Sequence, residues 1–151
     1  MLLPLPQRIP CPFCENIAGR HPCAFIVQDQ IIASFVNPRQ YGKGGVLIIP
    51  IRHASTIFDL TQDELHAISD HTQRLAQAIH QAYHPSGYNI FQNNGRTAGQ
   101  SVPHYHLHIV PRYDDDAPNQ VFGEQLVEKT PMEQRLIMAD TIRSYLMNDK
   151  S

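Results

Sequence analysis

The segment Pro103–Arg112, with the sequence PHYHLHIVPR, carries histidines at positions 104, 106 and 108. The residues between and after them are apolar: Tyr105, Leu107 and Ile109. Successive side chains of a strand point to opposite faces, so this alternation predicts a β-strand with three imidazoles on one face. Imidazole serves metal ligation, phosphate binding, and nucleophilic or acid–base catalysis. We therefore expect the functional site to lie along this strand; the alternative is a solvated strand face without a function.

Two cysteines near the start of the chain, Cys11 and Cys14, form a C-x-x-C pair. A redox pair normally follows a buried strand, and the proline-rich residues before Cys11 fit no strand. A second interpretation is half of a closed Cys2His2 zinc site, completed by two strand-end histidines, His53 and His104. The third interpretation is a pair that binds no metal. Cys23, on an apolar strand, is expected to be a core residue.

The loop Asn93–Ser101 (NNGRTAGQS) leads directly into the histidine segment. Its glycines, Gly95 and Gly99, permit left-handed backbone and close approach, so backbone N–H groups there can turn towards an anion. Side chains of the same loop add donors: Asn93, Gln100 and Ser101. The plain alternative is a β-loop without a ligand. Its position immediately before three histidines favours a phosphate-binding loop.

The composition limits the classes of function. The chain has 151 residues and a net charge of -2, which suit a single domain and offer no basic tract for a nucleic-acid polymer. No run of about 18 apolar residues is present, so no membrane span is expected. The three cysteines, and an opening MLLPLPQRIP that does not resemble a signal peptide, favour a reducing cytoplasm.

Apolar periodicity predicts one α+β domain over residues 11–147, preceded by an irregular arm over residues 1–10. Five apolar segments of strand length, separated by turn residues, indicate an antiparallel sheet. They are residues 23–28, 31–36, 46–51, 87–92 and 103–112. The sequence has no internal repeat and no linker, so the histidine segment and the cysteine pair are expected to belong to the same domain.

Three helices are predicted beside the sheet. The long one, at about 62–83, has apolar residues at helical spacing behind the capping-box pattern Thr61-x-x-Glu64. A short N-terminal helix is expected between Pro12 and Gly19, because proline suits a first helical turn and glycine suits a helix end. A C-terminal helix, at about 131–146, carries a further set of apolar residues at helical spacing.

Together these motifs resemble the histidine triad (HIT) family of nucleotide hydrolases and transferases. The family pattern H-x-H-x-H followed by two apolar residues is matched by His104–Val110, and the preceding Asn93 and Gln100-Ser101 match as well. So do the C-P-F-C start, the F-V-N-P turn and the strand that ends in P-x-R-H. The resemblance covers about residues 11–112 and is strongest to the small bacterial branch related to purine nucleoside phosphoramidases.

The resemblance implies a structural zinc site and a covalent mechanism. The zinc ligands would be Cys11, Cys14, His53 and His104. The middle imidazole, His106, would attack the α-phosphorus of a nucleoside phosphate derivative, and water would release the nucleoside monophosphate from the nucleotidyl-histidine. His108 would donate to the phosphate or to the leaving group. Because position 108 is histidine rather than glutamine, the resemblance favours hydrolysis over nucleotidyl transfer.

The same resemblance implies the substrate-binding residues. The phosphate oxygens would be held by four loop residues: Asn93, Gly99, Gln100 and Ser101. Asn37 stands where family members often carry an aspartate that binds the ribose hydroxyls. The candidates for an apolar base pocket are Phe13, Ile17 and Phe35. The expected ligand is a purine nucleotide or another nucleoside phosphate derivative, of the phosphoramidate or dinucleoside polyphosphate type.

Two other functions compete with a hydrolase. One is a zinc-stabilised nucleotide-binding or interaction module in which catalysis is incidental. The other is a metalloenzyme in which the three histidines bind a catalytic metal. Family members usually form two-fold dimers through the long helix and a strand edge, so the resemblance also implies a homodimer.

Overall fold

A computed structural model describes residues 2–118, 122 and 127–148 of the chain. Along them run helices α1 (Pro12–Ile17), α2 (Gln62–Tyr83) and α3 (Met132–Asn148), and strands β1 (Phe25–Gln28), β2 (Ile32–Val36), β3 (Val46–Pro50), β4 (Gly87–Gln92) and β5 (Leu107–Arg112). The α+β class and the three helices are as the sequence predicts. Residues 119–121 and 123–126 of the predicted domain lie outside the described part. None of the helices described is long and apolar enough to cross a membrane.

Helix α2 begins and ends at residues suited to those positions. The Thr61 hydroxyl accepts a hydrogen bond from the Glu64 backbone N–H at 3.2 Å, and the Glu64 carboxylate accepts one from the Thr61 N–H at 2.8 Å. This is the reciprocal capping box that the sequence predicts. At the other end His84 adopts a left-handed conformation with φ 53°. The predicted long helix is confirmed, with the predicted boundaries.

The five strands form one antiparallel sheet in the order β1-β2-β3-β5-β4. Because side chains alternate along a strand, the sheet has two faces that bury different residues. The face against α2 and α3, which we call the helical face, buries strand residues that include Ile32, Val36, Val46, Ile48 and Ile109. The face against α1, which we call the site face, buries Ala33, Phe35, Leu47 and Ile49.

The predicted strand over Pro103–Arg112 is only partly correct, because β5 begins at Leu107. Leu107 pairs with Ile48 of β3 and with Gln92 of β4, and both ladders end there. Beyond these pairs no described strand runs beside residues 103–106, and a strand needs a partner for its backbone N–H and C=O groups. The sequence pattern predicts the alternation of side chains, but it does not predict how long the neighbouring strands are and therefore where β5 begins.

Residues 103–106 keep alternating side-chain directions without forming a strand. The Tyr105 backbone N–H donates to a carbonyl of an earlier loop at 2.6 Å, which replaces a ladder bond. The Tyr105 ring packs in the core of the helical face, whereas the rings of His104 and His106 contact Phe13 of α1. The backbone therefore turns these two histidines towards the site face even though it is irregular.

The N-terminal arm, residues 2–10, has no regular secondary structure but is attached to the rest of the fold. The Pro4 carbonyl accepts a hydrogen bond from the Arg96 N–H at 2.7 Å, and Leu3 lies beside Gly95. Gly95 has φ 88°, a conformation that favours glycine. The arm thus contacts the loop that precedes the histidines and helps to hold that loop in place.

Candidate active site

Four side chains with metal-binding atoms meet beside α1. Cys11 is the N-cap of α1, Cys14 lies in its first turn, His53 follows β3, and His104 precedes β5. Their ligand atoms all lie within 4.8 Å of one another. The fold therefore brings together three distant parts of the chain, and among the residues described these are the ones that form such a group.

The distances between these atoms suit a tetrahedral zinc ion. Cys11 Sγ lies 3.5 Å from His104 Nδ1, and Cys14 Sγ lies 3.3 Å from His53 Nδ1 and 3.6 Å from His104 Nδ1. Zinc bonds of about 2.3 Å to sulfur and about 2.0 Å to nitrogen, at tetrahedral angles, place sulfur and nitrogen about 3.5 Å apart. The three observed distances, 3.3 to 3.6 Å, are close to this value, so the four residues are suited to bind zinc.

A backbone carbonyl fixes the tautomer of His104. Its Nε2 lies 2.8 Å from the Pro50 carbonyl oxygen, which only accepts, so Nε2 carries the proton and Nδ1 presents its lone pair to the sulfurs. Burial lowers the pKa of His104 to about 4, so the ring is neutral near pH 7. Burial, and then the neighbouring Cys11, raises the pKa of the Cys14 thiol to about 11. A metal bound there must displace a thiol proton.

The backbone carbonyl of His104 fixes the tautomer of His106. Its Nδ1 lies 2.7 Å from the His104 carbonyl oxygen, so Nδ1 donates a proton and the lone pair of the neutral ring is on Nε2. The residue is 4% exposed, and its ring contacts Phe13 and His108 at 5.2 and 5.0 Å between centroids. An imidazole whose lone pair is assigned to one nitrogen is suited to act as a nucleophile.

His108 is held by a stack of aromatic rings. Phe91, its cross-strand partner on β4, lies 4.4 Å away between centroids at an angle of 8°, and Phe122 stacks on Phe91. Burial, and then the charge of His106, lowers the pKa of His108 to about 3, so this ring is neutral near pH 7. Its Nδ1 is buried without a hydrogen-bond partner in the described part of the chain. A buried nitrogen of this kind is satisfied when a polar ligand or water reaches it.

The buried side chain of Gln100 stabilises the loop before the histidines through hydrogen bonds to the backbone. Its Oε1 accepts a hydrogen bond from the Gly95 N–H at 2.7 Å, and its Nε2 donates to the Ser55 and Val102 carbonyls at 2.7 and 2.9 Å. Both ends of the amide are therefore used to shape the loop. A contact between Gln100 and phosphate stays a prediction. The observed bonds show that this residue stabilises the loop.

The other predicted polar residues lie at the ends of β2 and β4. Asn93 Nδ2 donates to the Gly99 carbonyl at 3.5 Å, and Gly99 has φ 87°, where glycine is favoured. Asn37 Oδ1 accepts a hydrogen bond from the Arg39 N–H at 3.0 Å, which fixes the direction of its amide. Asn37 is buried.

A groove of about 690 Å³ opens beside the histidines. Its lining includes five of the predicted site residues: Phe13, Phe35, Asn37, Ser101 and His108. Five others lie outside the lining formed by the described residues: Ile17, Asn93, Gly99, Gln100 and His106. Of these, Ile17 packs against the core of the site face, and His106 contacts two rings that belong to the lining.

The family model described as HIT domain matches residues 18–115, more than half of the chain. The chain belongs to the HIT family. This HIT protein is 39% identical over 103 residues to the protein hit of Bacillus subtilis, a match that covers 68% of the chain and 71% of that relative. It is 33% identical over 113 residues to the adenosine 5'-monophosphoramidase hnt1 of Schizosaccharomyces pombe, covering 75% of the chain and 78% of the relative.

Solved structures show the same fold. A Zn-bound histidine triad family protein from Mycobacterium smegmatis aligns with the HIT protein at a TM-score of 0.77 and 27% identity. The alignment covers 93% of this chain and 95% of the mycobacterial one. This share is larger than the part that the family model matches, residues 18–115.

Sequence reasoning missed several residues of the groove in the HIT protein. Arg8 of the arm, Arg39, Lys129 and Arg135 all contribute to the lining. Arg39 and Lys129 meet in an isolated antiparallel bridge, a contact across the chain that no local pattern marks. Phe91, in contrast, lies within the predicted strand 87–92, and the register of β4 against β5 places it opposite His108.

Proposed function

We propose that this HIT protein is a nucleotide hydrolase that cleaves nucleoside monophosphate derivatives through a covalent intermediate on His106. The observation that carries the proposal is the hydrogen bond from His106 Nδ1 to the His104 carbonyl, which assigns the lone pair to Nε2. The His106 ring contacts Phe13 and His108, which line the groove. A phosphate bound there would meet a nucleophile whose tautomer is already set.

The reaction would proceed by two displacements at the α-phosphorus. In the first, His106 Nε2 attacks, a nitrogen–phosphorus bond forms, and the bond from phosphorus to the leaving nitrogen or oxygen breaks as the leaving group takes up a proton from solvent. In the second, water attacks the nucleotidyl-histidine, its proton is lost to solvent, and the electron pair of the nitrogen–phosphorus bond returns to Nε2. The products are a nucleoside monophosphate and the leaving group.

His108 would assist as a neutral hydrogen-bond donor. Its pKa of about 3, set by burial and then by His106, means that the ring carries one N–H and no charge near pH 7. It lies on the same face as His106, with 5.0 Å between the ring centroids. A contact with the phosphate or the leaving group would stabilise charge that develops during the displacement.

The lining of the groove supports a nucleotide as the substrate. Phe13 and Phe35 offer apolar surface for a base, Asn37 offers an amide for the ribose, and Ser101 a hydroxyl for phosphate. We assign supporting roles to residues just outside the lining: Ile17 behind the base, and Asn93, Gly99 and Gln100 in the phosphate loop. The relative from S. pombe is named an adenosine 5'-monophosphoramidase, so a purine phosphoramidate is the first substrate to test, with a dinucleoside polyphosphate second.

We further propose that the four clustered ligands, Cys11, Cys14, His53 and His104, hold a structural zinc ion. Four protein ligands close the tetrahedron, so the ion would supply stability and no step of the reaction. The mycobacterial structure described as Zn-bound supports this assignment. A catalytic metal on all three histidines is disfavoured, because His104 faces the cysteines and His106 Nδ1 bonds to a carbonyl. A reducing cytoplasm would keep both thiols able to bind zinc.

We also propose a homodimer through α2 and the adjoining strands. An apolar groove of about 740 Å³ runs along this surface, lined by residues that include Leu65, Tyr88, Ile90 and Leu107. Ile90 is 47% exposed, and a second copy of the chain would cover it. Sedimentation velocity tests the assembly, and a monomer at micromolar concentration would contradict it.

The test of the catalytic proposal is hydrolysis of adenosine 5'-phosphoramidate by His106→Gly, with AMP affinity measured in parallel. We expect at least about 10³-fold loss of kcat with AMP binding retained, because the nucleophile itself is removed. His84→Gly is the matched control, since His84 has φ 53° and glycine fits that conformation.

Two outcomes would contradict the proposed function. Normal hydrolysis by His106→Gly would show that the nucleophile is another group. A wild-type protein that binds AMP without turning over any nucleotide derivative would favour the nucleotide-binding or interaction module instead.

A further inference from the structure

Phe13 lies between the two cysteines of the C-x-x-C pair and contacts two histidines with different proposed functions. Its ring centroid is 5.8 Å from that of His104 and 5.2 Å from that of His106. The interplanar angles are 74° and 81°, so both are edge-to-face contacts, which are favourable arrangements for aromatic rings. One buried phenyl ring therefore bridges a proposed zinc ligand and the proposed nucleophile.

Helix α1 is too short to hold this ring in place by itself. It has six residues, and isolated helices shorter than about 12 residues are marginal in water. Its N-cap is supplied by Cys11, whose Sγ accepts a hydrogen bond from the Cys14 N–H at 3.5 Å. The first turn of α1 is therefore defined by the same two side chains that face His53 and His104.

We propose that Phe13 is a positioning residue that couples the Cys/His metal site to the nucleophile. The first turn of α1, tied through Cys11 and Cys14 to the metal site, holds the Phe13 ring, and that ring limits rotation of the His106 imidazole. The His104 carbonyl fixes the tautomer of His106, and Phe13 restricts its orientation. This inference rests on the proposed function of His106.

A competing explanation is that Phe13 only contacts the base of the substrate, because it also lines the groove. The two roles differ in what they change. A base contact is made in the ground state and the transition state alike, so its loss raises KM. Loss of a positioning contact lowers kcat, because the nucleophile is then less often aligned with the phosphorus.

The experiment compares zinc-loaded Phe13→Leu and Phe13→Ala with the wild type by steady-state kinetics, metal analysis and NMR of ¹⁵N-labelled histidine. We expect kcat to fall about tenfold with KM within about twofold, zinc content to be unchanged, and the His106 ring signals to broaden as the imidazole becomes mobile. Phe25→Leu is the matched control, because Phe25 and Phe13 both pack edge-on against Phe35 of the site face. If Phe13→Ala does not fold, Phe13→Leu carries the test, since leucine keeps most of the apolar volume.

Removal of zinc tests the coupling itself. In the wild type, chelation should broaden the His106 signals and lower kcat by about the factor seen in Phe13→Ala. In Phe13→Ala, chelation should lower kcat little further, because two changes that act through one contact are not additive.

Three results would overturn the proposal. They are a raised KM with unchanged kcat, sharp His106 signals in both Phe13 variants, and independent effects of chelation and substitution on kcat. Normal hydrolysis by His106→Gly would overturn the proposed function instead. The NMR comparison of Phe13→Leu with the wild type would still decide the coupling in that case.

Discussion

Ile48 and Ile49 are neighbours on β3 and both are 0% exposed, yet they pack on opposite faces of the sheet. Among the residues described, the core of the helical face has fourteen buried apolar members and that of the site face has six. Buried apolar area sets the hydrophobic stabilisation, so most of it comes from the helical face. The site face can bury polar groups because the larger core of the helical face provides most of the hydrophobic stabilisation.

Buried polar residues are distributed in the opposite way. Among the residues described, His71 of α2 contacts Ser34 on the helical face and α2 also buries Glu64, whereas the site buries His104, His106 and Gln100. Backbone carbonyls accept a hydrogen bond from one ring nitrogen of His104 and from one ring nitrogen of His106. The difference suggests that stability and chemistry can be changed separately, and the following predictions test that separation.

The largest expected effect on stability comes from truncating Ile48 or Ile49, the two neighbours on β3. Ile48→Ala and Ile49→Ala should each lower the free energy of unfolding by about 2–5 kcal/mol, because each leaves a cavity in a closed core. Urea denaturation measures this loss. Only Ile49→Ala should also lower kcat, by a few-fold, since its core supports Phe13 and Phe35. Equal changes in kcat for both variants would break the proposed separation of the two faces.

A second prediction concerns how the free energy of unfolding depends on pH through His71, which is buried on the helical face. Burial lowers the pKa of His71 to about 4 in the folded state, from an ordinary value of 6.5. As the pH falls, His71 therefore takes up its proton at a higher pH in the unfolded chain than in the folded one. Stability from this residue is full above about pH 6.5 and is lost as the pH falls towards 4, by about 3 kcal/mol in total.

Urea denaturation of His71→Gln between pH 7 and pH 4 measures this contribution. We expect a flatter dependence than in the wild type, because glutamine does not titrate. His66→Gln is the control, since it makes the same substitution at an exposed position of the same helix. A wild-type slope in His71→Gln would place the pH dependence elsewhere, for instance in the histidines of the site.

The smallest effect is expected at the N-cap of α2. Thr61→Ala removes the acceptor for the Glu64 N–H and should cost about 1 kcal/mol of stability. Because the cap lies outside the groove lining, kcat should not change. Thr61→Ser keeps the hydroxyl and should retain wild-type stability in thermal denaturation. A fall in kcat for Thr61→Ala alone would show that α2 affects the chemistry directly.

Sequence reasoning performed best where local patterns determine the structure. The capping box at Thr61 gave the start of α2, and the apolar run 46–51 gave β3 to within one residue. The spacing of the histidines indicated which side chains share a face, because alternation follows from backbone geometry alone. The α+β class followed from these elements.

Sequence reasoning failed where distant segments decide the structure. The start of β5 at Leu107 depends on where β3 and β4 stop pairing with it, which no pattern in residues 103–112 records. The hydrogen bond from the Gln100 amide to the distant Ser55 carbonyl was likewise not predicted, because no pattern in residues 93–101 records that contact; a phosphate contact of Gln100 stays a prediction. The stack of Phe91 on His108 arises from register across two strands, and register requires the paired structure rather than one sequence segment.

The most direct test of the central claim is the mass of the protein during a single turnover. The reaction with adenosine 5'-phosphoramidate is quenched on the millisecond timescale, and the intact protein and its peptides are analysed by mass spectrometry. We predict a transient nucleoside monophosphate adduct on the peptide that contains His106, which decays as free AMP appears and is absent from His106→Gly. Turnover without any adduct, or an adduct confined to another residue, would contradict the account.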